Sequence, residues 1–222
     1  MVKPRVKETD HGIQNPFDIT AFDKMRRKMR DDNHLDTVRL IQSGIHNGLA
    51  LEIGPGPGYL GLEWLRRTTG TTLKAVEISQ GMILLAEKNA DEYQLRNRLT
   101  YILGDAQNLP FENENFDAVF SSGSLHEWAK PKQIFNEIYR VLKPGGRYYI
   151  SDLRRDLNPV LKALLIKSIE PKELVPGFIT SIHAAYTKKE LQELLLSSKL
   201  KEAEVRKNIM TLKVTGIKKS GC

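Results

Sequence analysis

The stretch Leu51-Glu52-Ile53-Gly54-Pro55-Gly56-Pro57-Gly58 constrains this chain more than any other. A short apolar run ends there in three glycines interleaved with two prolines. Glycine admits backbone conformations that other residues resist, and it lets a ligand approach the main chain closely. Proline fixes φ and has no amide hydrogen to donate. The segment that follows, Tyr59–Thr69, carries apolar positions at Leu60, Leu62, Trp64 and Leu65 and stops near Gly70. Strand, glycine turn and helix in that order open a βαβ unit.

The alternation continues downstream. Strands are predicted at Ala50–Ile53, Leu73–Ile78, Leu99–Leu103, Phe116–Ser121 and Arg147–Asp152. Between them a helix runs from Gln80 to about Tyr93, with Ser79 as its cap, and another from Pro131 to Leu142. Lys143-Pro144-Gly145-Gly146 reads as a sharp stop and turn. Further on, Leu157–Ser168 and Thr187–Ser198 look helical, and Lys201–Lys207 and Ile209–Ile217 look like strands. The turn between those last two is too short for a parallel crossover, so they pair antiparallel at one edge of the sheet. Ahead of the first strand, one helix is expected near Ile19–Arg30, capped by Asp18 or Thr20. Residues 1–45 therefore read as an N-terminal helical extension, and residues 46–222 as the main domain. Phe22, Met25 and Met29 share one helical face of that extension, able to close over a ligand as a lid or to pack on the core.

With 40% hydrophobic and 27% charged residues over 222 positions, the chain can build a sizeable core. Its single cysteine, Cys222, leaves no disulfide within the chain, which suits a reducing cytoplasm. The start, Met1-Val2-Lys3-Pro4-Arg5, has no apolar signal region, and the longest apolar runs are too short to span a bilayer, so no membrane is expected. The net charge of +7 raises nucleic acid as a partner. The basic residues are mostly scattered, however, and a solvated basic surface on a monomer or homodimer is the favoured reading. The five histidines are dispersed and no metal cluster is visible in the spacing.

A glycine loop after a first strand serves either a dinucleotide diphosphate or another nucleoside cofactor. Counted from Gly54, the third glycine of a dinucleotide fingerprint falls on Tyr59; counted from Gly56 it falls on Gly61, a weak match. A diphosphate is held by backbone N–H groups. Pro55 and Pro57 have none. S-adenosylmethionine carries an ammonium and a sulfonium instead, which favour carbonyl oxygens and a carboxylate such as Glu52. A nicotinamide-dependent dehydrogenase stays the less favoured alternative.

Leu51–Gly58 resembles motif I of the class I, Rossmann-like, seven-stranded methyltransferases of the small-molecule (methyltransferase domain 11, UbiE-like) type. Four more segments match in order: Val76-Glu77-Ile78-Ser79, Gly104-Asp105-Ala106-Gln107-Asn108-Leu109-Pro110-Phe111, Phe116-Asp117-Ala118-Val119 and Arg140-Val141-Leu142-Lys143-Pro144-Gly145-Gly146. The resemblance covers about residues 45 to 217. It implies an α/β, doubly wound, mostly parallel sheet of order 3-2-1-4-5-7-6, with strand 7 antiparallel and helices on both faces. It also implies S-adenosyl-L-methionine as cofactor and S-adenosyl-L-homocysteine as product. The cofactor contacts would come from Glu52, Gly54, Pro55, Gly56, Gly58, Glu77, Ile78, Met82, Asp105, Ala106 and Ser122. Among these, Glu77 would accept the ribose hydroxyls, Asp105 the adenine amine, and Ala106 N–H would face a ring nitrogen.

Ligands of open α/β sheets bind beyond the carboxyl ends of the strands. The loop Ser121-Ser122-Gly123-Ser124-Leu125-His126-Glu127-Trp128 lies at that rim. It is similar to the Leu-His loop of small-molecule methyltransferases and departs from the motif of amino-directed nucleic-acid methyltransferases. The expected acceptor is thus a small molecule, with RNA or protein as the second reading. His126 is the candidate general base. Tyr59, Trp128 and Arg154 are candidate substrate contacts, and Arg154 or its neighbour Arg155 would suit an anionic substrate group.

Overall fold

The computed structural model describes residues 3–8 and 11–219, so Cys222 and the first two residues of the start lie outside the described residues. The sheet has seven strands in the order β3-β2-β1-β4-β5-β7-β6. These are β1 (Gly48–Ile53), β2 (Thr71–Glu77), β3 (Leu99–Leu103), β4 (Phe116–Ser122), β5 (Leu142–Leu153), β6 (Glu204–Lys207) and β7 (Thr211–Ile217). β1 pairs parallel with β2 and β4, β3 with β2, and β5 with β4, whereas β7 is antiparallel to both β5 and β6. The order and the single reversed strand are those expected. The helices are α1 (Pro16–Asp31), α2 (Thr37–Gln42), α3 (Tyr59–Arg66), α4 (Gln80–Glu92), α5 (Pro131–Val141), α6 (Pro159–Ser168), α7 (Val175–Ala184) and α8 (Lys188–Leu196).

Side chains alternate between the two faces of a strand, and the sequence exploits this. Leu51, Ile53, Val119, Tyr148 and Ile150 join one buried cluster with Ile134, Phe135 and Ile138 of α5 and Leu191 and Leu195 of α8. Ala50, Ala75, Ala118, Phe120 and Tyr149 join the other, with Leu40 of α2 and Leu60, Leu62 and Trp64 of α3. Trp64 is fully buried, its ring 5.6 Å from that of Phe120, and its indole N–H donates to the Ile45 carbonyl at 2.8 Å. Trp64→Ala should cost about 3–5 kcal/mol of stability, measured by denaturant unfolding, because the cavity and the orphaned carbonyl arise together.

Three local expectations are corrected. The Lys143–Gly146 turn is absorbed into β5 as an irregularity: Leu142 pairs with Phe116 and Arg147 with Ala118, so the extra residues loop out. Gly145, at φ 79°, donates to the Lys218 carbonyl at 2.7 Å, which holds the bulge to the end of the chain's last strand. The cap of α1 is neither Asp18 nor Thr20 but Asn15, whose side chain accepts from Phe17 N–H at 2.9 Å, with Pro16 in the first turn. Finally, α2 and α7 form where no helix was expected. α2 is too short for periodicity to show, and α7 contains Pro176 and Gly177, residues that read as breakers although proline is tolerated in a first turn.

Candidate active site

The glycine loop joins β1 to α3 at the carboxyl end of the sheet. Gly54, Gly56 and Gly58 have φ of 64°, 55° and 84°, in the left-handed region that favours glycine. A side chain at Gly54 would collide with Ser124, and one at Gly58 with the Tyr101 hydroxyl. All three glycine amides are committed. Gly54 N–H donates to the Val76 carbonyl at 3.0 Å, Gly56 to Glu77 Oε2 at 3.0 Å, and Gly58 to the Pro55 carbonyl at 3.1 Å. With two prolines between them, the loop keeps no amide for a diphosphate, which argues against a dinucleotide.

Two acids sit against this loop. Glu52 is buried beneath the first turn of α3, where a side chain on Gly61 would overlap its Oε2, and that oxygen has no hydrogen-bond partner among the described residues. Burial, opposed by the Arg26 guanidinium and reinforced by Glu77, pushes its carboxyl up to about 8. Glu77, at the end of β2, accepts from Gly56, Ile78 and Ser79 amides at 3.0, 2.9 and 3.0 Å. Burial raises its carboxyl too, against those three bonds. A carboxylate offers about four acceptor sites, so one remains on Glu77 Oε2 while the backbone bonds persist. Buried, under-neutralised acids beside a loop without free amides suit a cationic ligand and disfavour an anionic one.

Around the same crevice, Ile78 is 40% exposed at the end of β2, whereas Met82 is buried in α4. Ser79 caps α4 through Met82 N–H at 3.3 Å and also donates to the Ile13 carbonyl at 2.6 Å. A side chain on Gly12 would stand 3.0 Å from Ile78 Cγ2. The N-terminal extension therefore crosses the crevice edge. α1 lies over it as well: Phe22 faces Gly56, and Asp23 accepts from the Tyr59 hydroxyl at 2.8 Å and from Asn89 at 3.3 Å. Asp105 is exposed and takes Gln107 N–H and the Gln107 side-chain amide, both at 2.8 Å, closing a turn that carries the half-buried Ala106. Ser122 donates to Asp36 at 3.2 Å.

A second pocket of about 280 Å³ opens beside the β4 loop, lined by Arg5, Glu8, His126, Glu127 and Trp128 among others. His126 is buried and anchored by Asp152 of β5, whose two carboxylate oxygens each lie 2.9 Å from Nδ1 and one of which also accepts the His126 backbone N–H at 2.6 Å. Nε2 faces Glu8 Oε2 at 3.6 Å and Glu127 Oε1 at 3.8 Å. Burial disfavours the imidazolium, but Asp152, Glu127 and Glu8 outweigh it and push the ring up to about 9. Glu127 is pushed up to about 7, chiefly by burial. Trp128 walls the pocket, its N–H on Ser124 Oγ at 3.0 Å and its ring edge-on to Phe135.

The remaining substrate candidates sit elsewhere. Tyr59 is buried under α1, with the Arg30 guanidinium 5.1 Å from its ring centre. Arg154 is spent on Asp156 (2.7 Å) and on the carbonyls of Asn208 (2.9 Å) and Ile209 (3.2 Å), clamping the β6–β7 turn. Arg155 likewise holds the carbonyls of Lys3 and Ala185 and the Glu190 carboxylate. Neither arginine presents a free guanidinium to an anionic group, a consequence of carbonyls that no linear pattern reveals. Arg154→Ala should loosen the hairpin by about 1–3 kcal/mol in denaturant unfolding through the unpaired acceptors it leaves. Glu8 and the Asp152–His126 pairing were missed as a unit, since their sequence separations carry no signal. The dispersed histidines gave no metal pattern, yet Glu8, His126 and Glu127 offer donor atoms within 4.8 Å of one another.

Residues 51–150 match the methyltransferase domain family. The chain is 32% identical over 158 residues to the biotin biosynthesis bifunctional protein BioHC of Teredinibacter turnerae, covering 68% of this chain and 28% of that protein. It is 30% identical over 112 residues to the ubiquinone/menaquinone biosynthesis C-methyltransferase UbiE of Cereibacter sphaeroides, covering 50% of this chain and 45% of that protein. The matches thus span less than half the length of these curated relatives. In fold, a putative S-adenosyl-L-methionine-dependent methyltransferase from Methanococcus maripaludis superposes with a TM-score of 0.73 at 23% identity, covering 99% of this chain and 98% of that one. A SAM-dependent methyltransferase from Aquifex aeolicus does so with a TM-score of 0.69 at 16% identity, over 92% and 99%. Among the described residues, no helix is long and apolar enough to cross a membrane.

Proposed function

Because this chain belongs to the class I, S-adenosylmethionine-dependent methyltransferases through the domain at residues 51–150, we propose that it methylates a small-molecule acceptor held in the His126 pocket, releasing S-adenosyl-L-homocysteine. The observation that carries this reading is the shared rim: the glycine loop, Glu77 and the His126 loop end the neighbouring strands β1, β2 and β4. When bound, the cofactor supplies a sulfonium-borne methyl open to in-line attack, a reaction that gains chiefly from positioning. Gly54–Gly58 and Glu52 give its cationic end a loop without free amides and a buried carboxyl that ionises as the cation binds. Glu77 Oε2 takes a ribose hydroxyl, Ile78 and Met82 edge the base, and Asp105 and Ala106 receive the adenine amine and ring nitrogen. The N-terminal extension, residues 1–45, serves as the lid, with Phe22 over Gly56 and Gly12 over Ile78.

His126 faces the acceptor through Nε2, since Asp152 holds Nδ1. Trp128 forms the pocket wall. Arg154 and Arg155 are engaged elsewhere, so an anionic group on the acceptor would meet Arg5 and Lys7 of the pocket lining instead. RNA or protein acceptors are the second reading, motivated by the +7 charge. Ion pairs such as Arg27 with Glu92 and Arg66 and Arg67 with Glu63 tie up individual side chains but leave that net excess unchanged, so the small-molecule reading rests on the His126 pocket.

Cell extract incubated with the protein and methyl-labelled cofactor provides the test. Label should enter the low-molecular-weight fraction, and His126→Ala should lower the rate by about 100-fold or more. Label confined to RNA or protein would select the second reading, and no transfer at all would overturn both.

A further inference from the structure

We propose that Glu8, His126 and Glu127 form a binding site for a first-row divalent cation of the zinc type. Three observations converge. First, the donors already stand near the required spacing. Ligands about 2.1 Å from a tetrahedral metal are about 3.4 Å apart. Nε2 lies 3.6 Å from Glu8 Oε2 and 3.8 Å from Glu127 Oε1, and donor atoms of the three residues all lie within 4.8 Å of one another, so side-chain movement of the two glutamates toward Nε2 closes the site.

Second, the ring is held as metal-binding imidazoles are held. A ligating histidine donates its other N–H to a carboxylate that fixes its tautomer and direction. Asp152 does this with both oxygens at 2.9 Å from Nδ1, leaving Nε2, whose proton a bound cation would displace, directed at the two glutamates. Third, the cluster contains unused donors. The His126 side chain is 6% exposed, yet its Nε2 makes no hydrogen bond among the described residues. Glu8 Oε2 is buried without a hydrogen-bond partner among the described residues, although the Ser181 hydroxyl favours the charged form of the same carboxyl. Leaving such an oxygen dry is costly unless something satisfies it.

Asp152, Glu8 and Glu127 surround one imidazole, and the other cations of the pocket are Lys7 and Arg5, the latter held on the Ala184 and His126 carbonyls 4.2 Å from the Tyr186 ring centre. One imidazole with two carboxylates suits zinc, manganese or iron, and a three-ligand set leaves a position for a further ligand. Where the pocket is the acceptor site, which rests on the proposed function, that position receives the acceptor's heteroatom. The cation then replaces the imidazole as the group that stabilises a deprotonated acceptor. Glu8 comes from the N-terminal segment, so the same contact ties that segment to the acceptor pocket.

The test uses full-length protein carrying Cys222→Ser, to remove the one thiol, stripped with chelator and titrated with Co²⁺ and Zn²⁺. Stoichiometric Co²⁺ binding with d–d absorption bands is expected. A Glu8→Gln/Glu127→Gln protein should lose about 100-fold or more in affinity, and Asp152→Asn about 10–100-fold. Calorimetric binding of S-adenosylhomocysteine should stay intact in the double variant, which shows that it is folded. Weak Co²⁺ binding without the bands, or affinity unchanged in the double variant, would overturn the site. If the cation binds but no methyl transfer occurs, the proposed function fails and the site stands. If transfer proceeds equally in the metal-free protein, the cation's role in activation fails.

Discussion

Gly58→Ala should cost about 1–3 kcal/mol of stability and remove measurable binding of S-adenosylmethionine. Gly58 sits at φ 84° as the residue before α3, a conformation that costs a residue with a side chain about 1–2 kcal/mol. The new methyl would also collide with the Tyr101 hydroxyl and lie 3.3 Å from Ala86 Cβ. Tyr101 is an edge-strand residue whose buried hydroxyl has no partner among the described residues, so it yields only by pushing β3 or α4 outward. Either movement changes the loop that the cofactor must fit. Thermal unfolding gives the stability loss, and calorimetry gives the binding loss. A variant of unaltered affinity would show that the loop does not hold the cofactor.

The second large effect concerns Glu52. Its carboxyl stands at about 8 against an ordinary 4.5, with burial as the main cause. The native state therefore keeps a proton that the unfolded chain releases. That contribution to stability is fully present below pH 4.5 and is lost as pH rises through 8. The loss is on the order of a few kcal/mol, since each tenfold difference in proton affinity between the two states is worth about 1.4 kcal/mol. Glu52→Gln cannot ionise, so its unfolding free energy should lack this decline, and near pH 8.5 it should be the more stable protein. Cofactor binding reverses the balance. A cation favours the ionised carboxylate, so wild-type affinity should rise with pH up to about 8, with proton release, and the glutamine variant should show neither. Parallel pH–stability curves for the two proteins would contradict the assignment.

What the sequence made legible was whatever local chemistry fixes. The loop is an example: the glycines demand left-handed φ and the prolines withhold amides, and both facts hold in three dimensions. Ser79 capped its helix as expected because a cap is a contact between near neighbours. Sheet order came through because five ordered segments resemble one family, and the short turn at Lys207-Asn208 dictated the reversed hairpin. Contacts across the fold were hidden. Arg154 read as a free rim cation, yet its partners are main-chain carbonyls in the β6–β7 turn. Tyr59 stood next to the loop in sequence, but its hydroxyl turns to Asp23 of α1. His126 was visible as a titratable residue at the rim. The groups that set its behaviour, Glu8 and Asp152, come from distant parts of the chain and share no periodicity with it.

Everything proposed for the rim depends on a cationic nucleoside cofactor seated between the glycine loop and Glu77. Calorimetric titration with S-adenosylhomocysteine, repeated with NADH and with a Glu77→Ala protein, tests it most directly. Saturable binding of S-adenosylhomocysteine, no binding of NADH, and an affinity loss of about tenfold or more in Glu77→Ala are predicted, since a hydrogen bond to a charged group contributes about 1.5–3 kcal/mol. Binding of NADH in preference, or undiminished S-adenosylhomocysteine affinity in a folded Glu77→Ala protein, would contradict it.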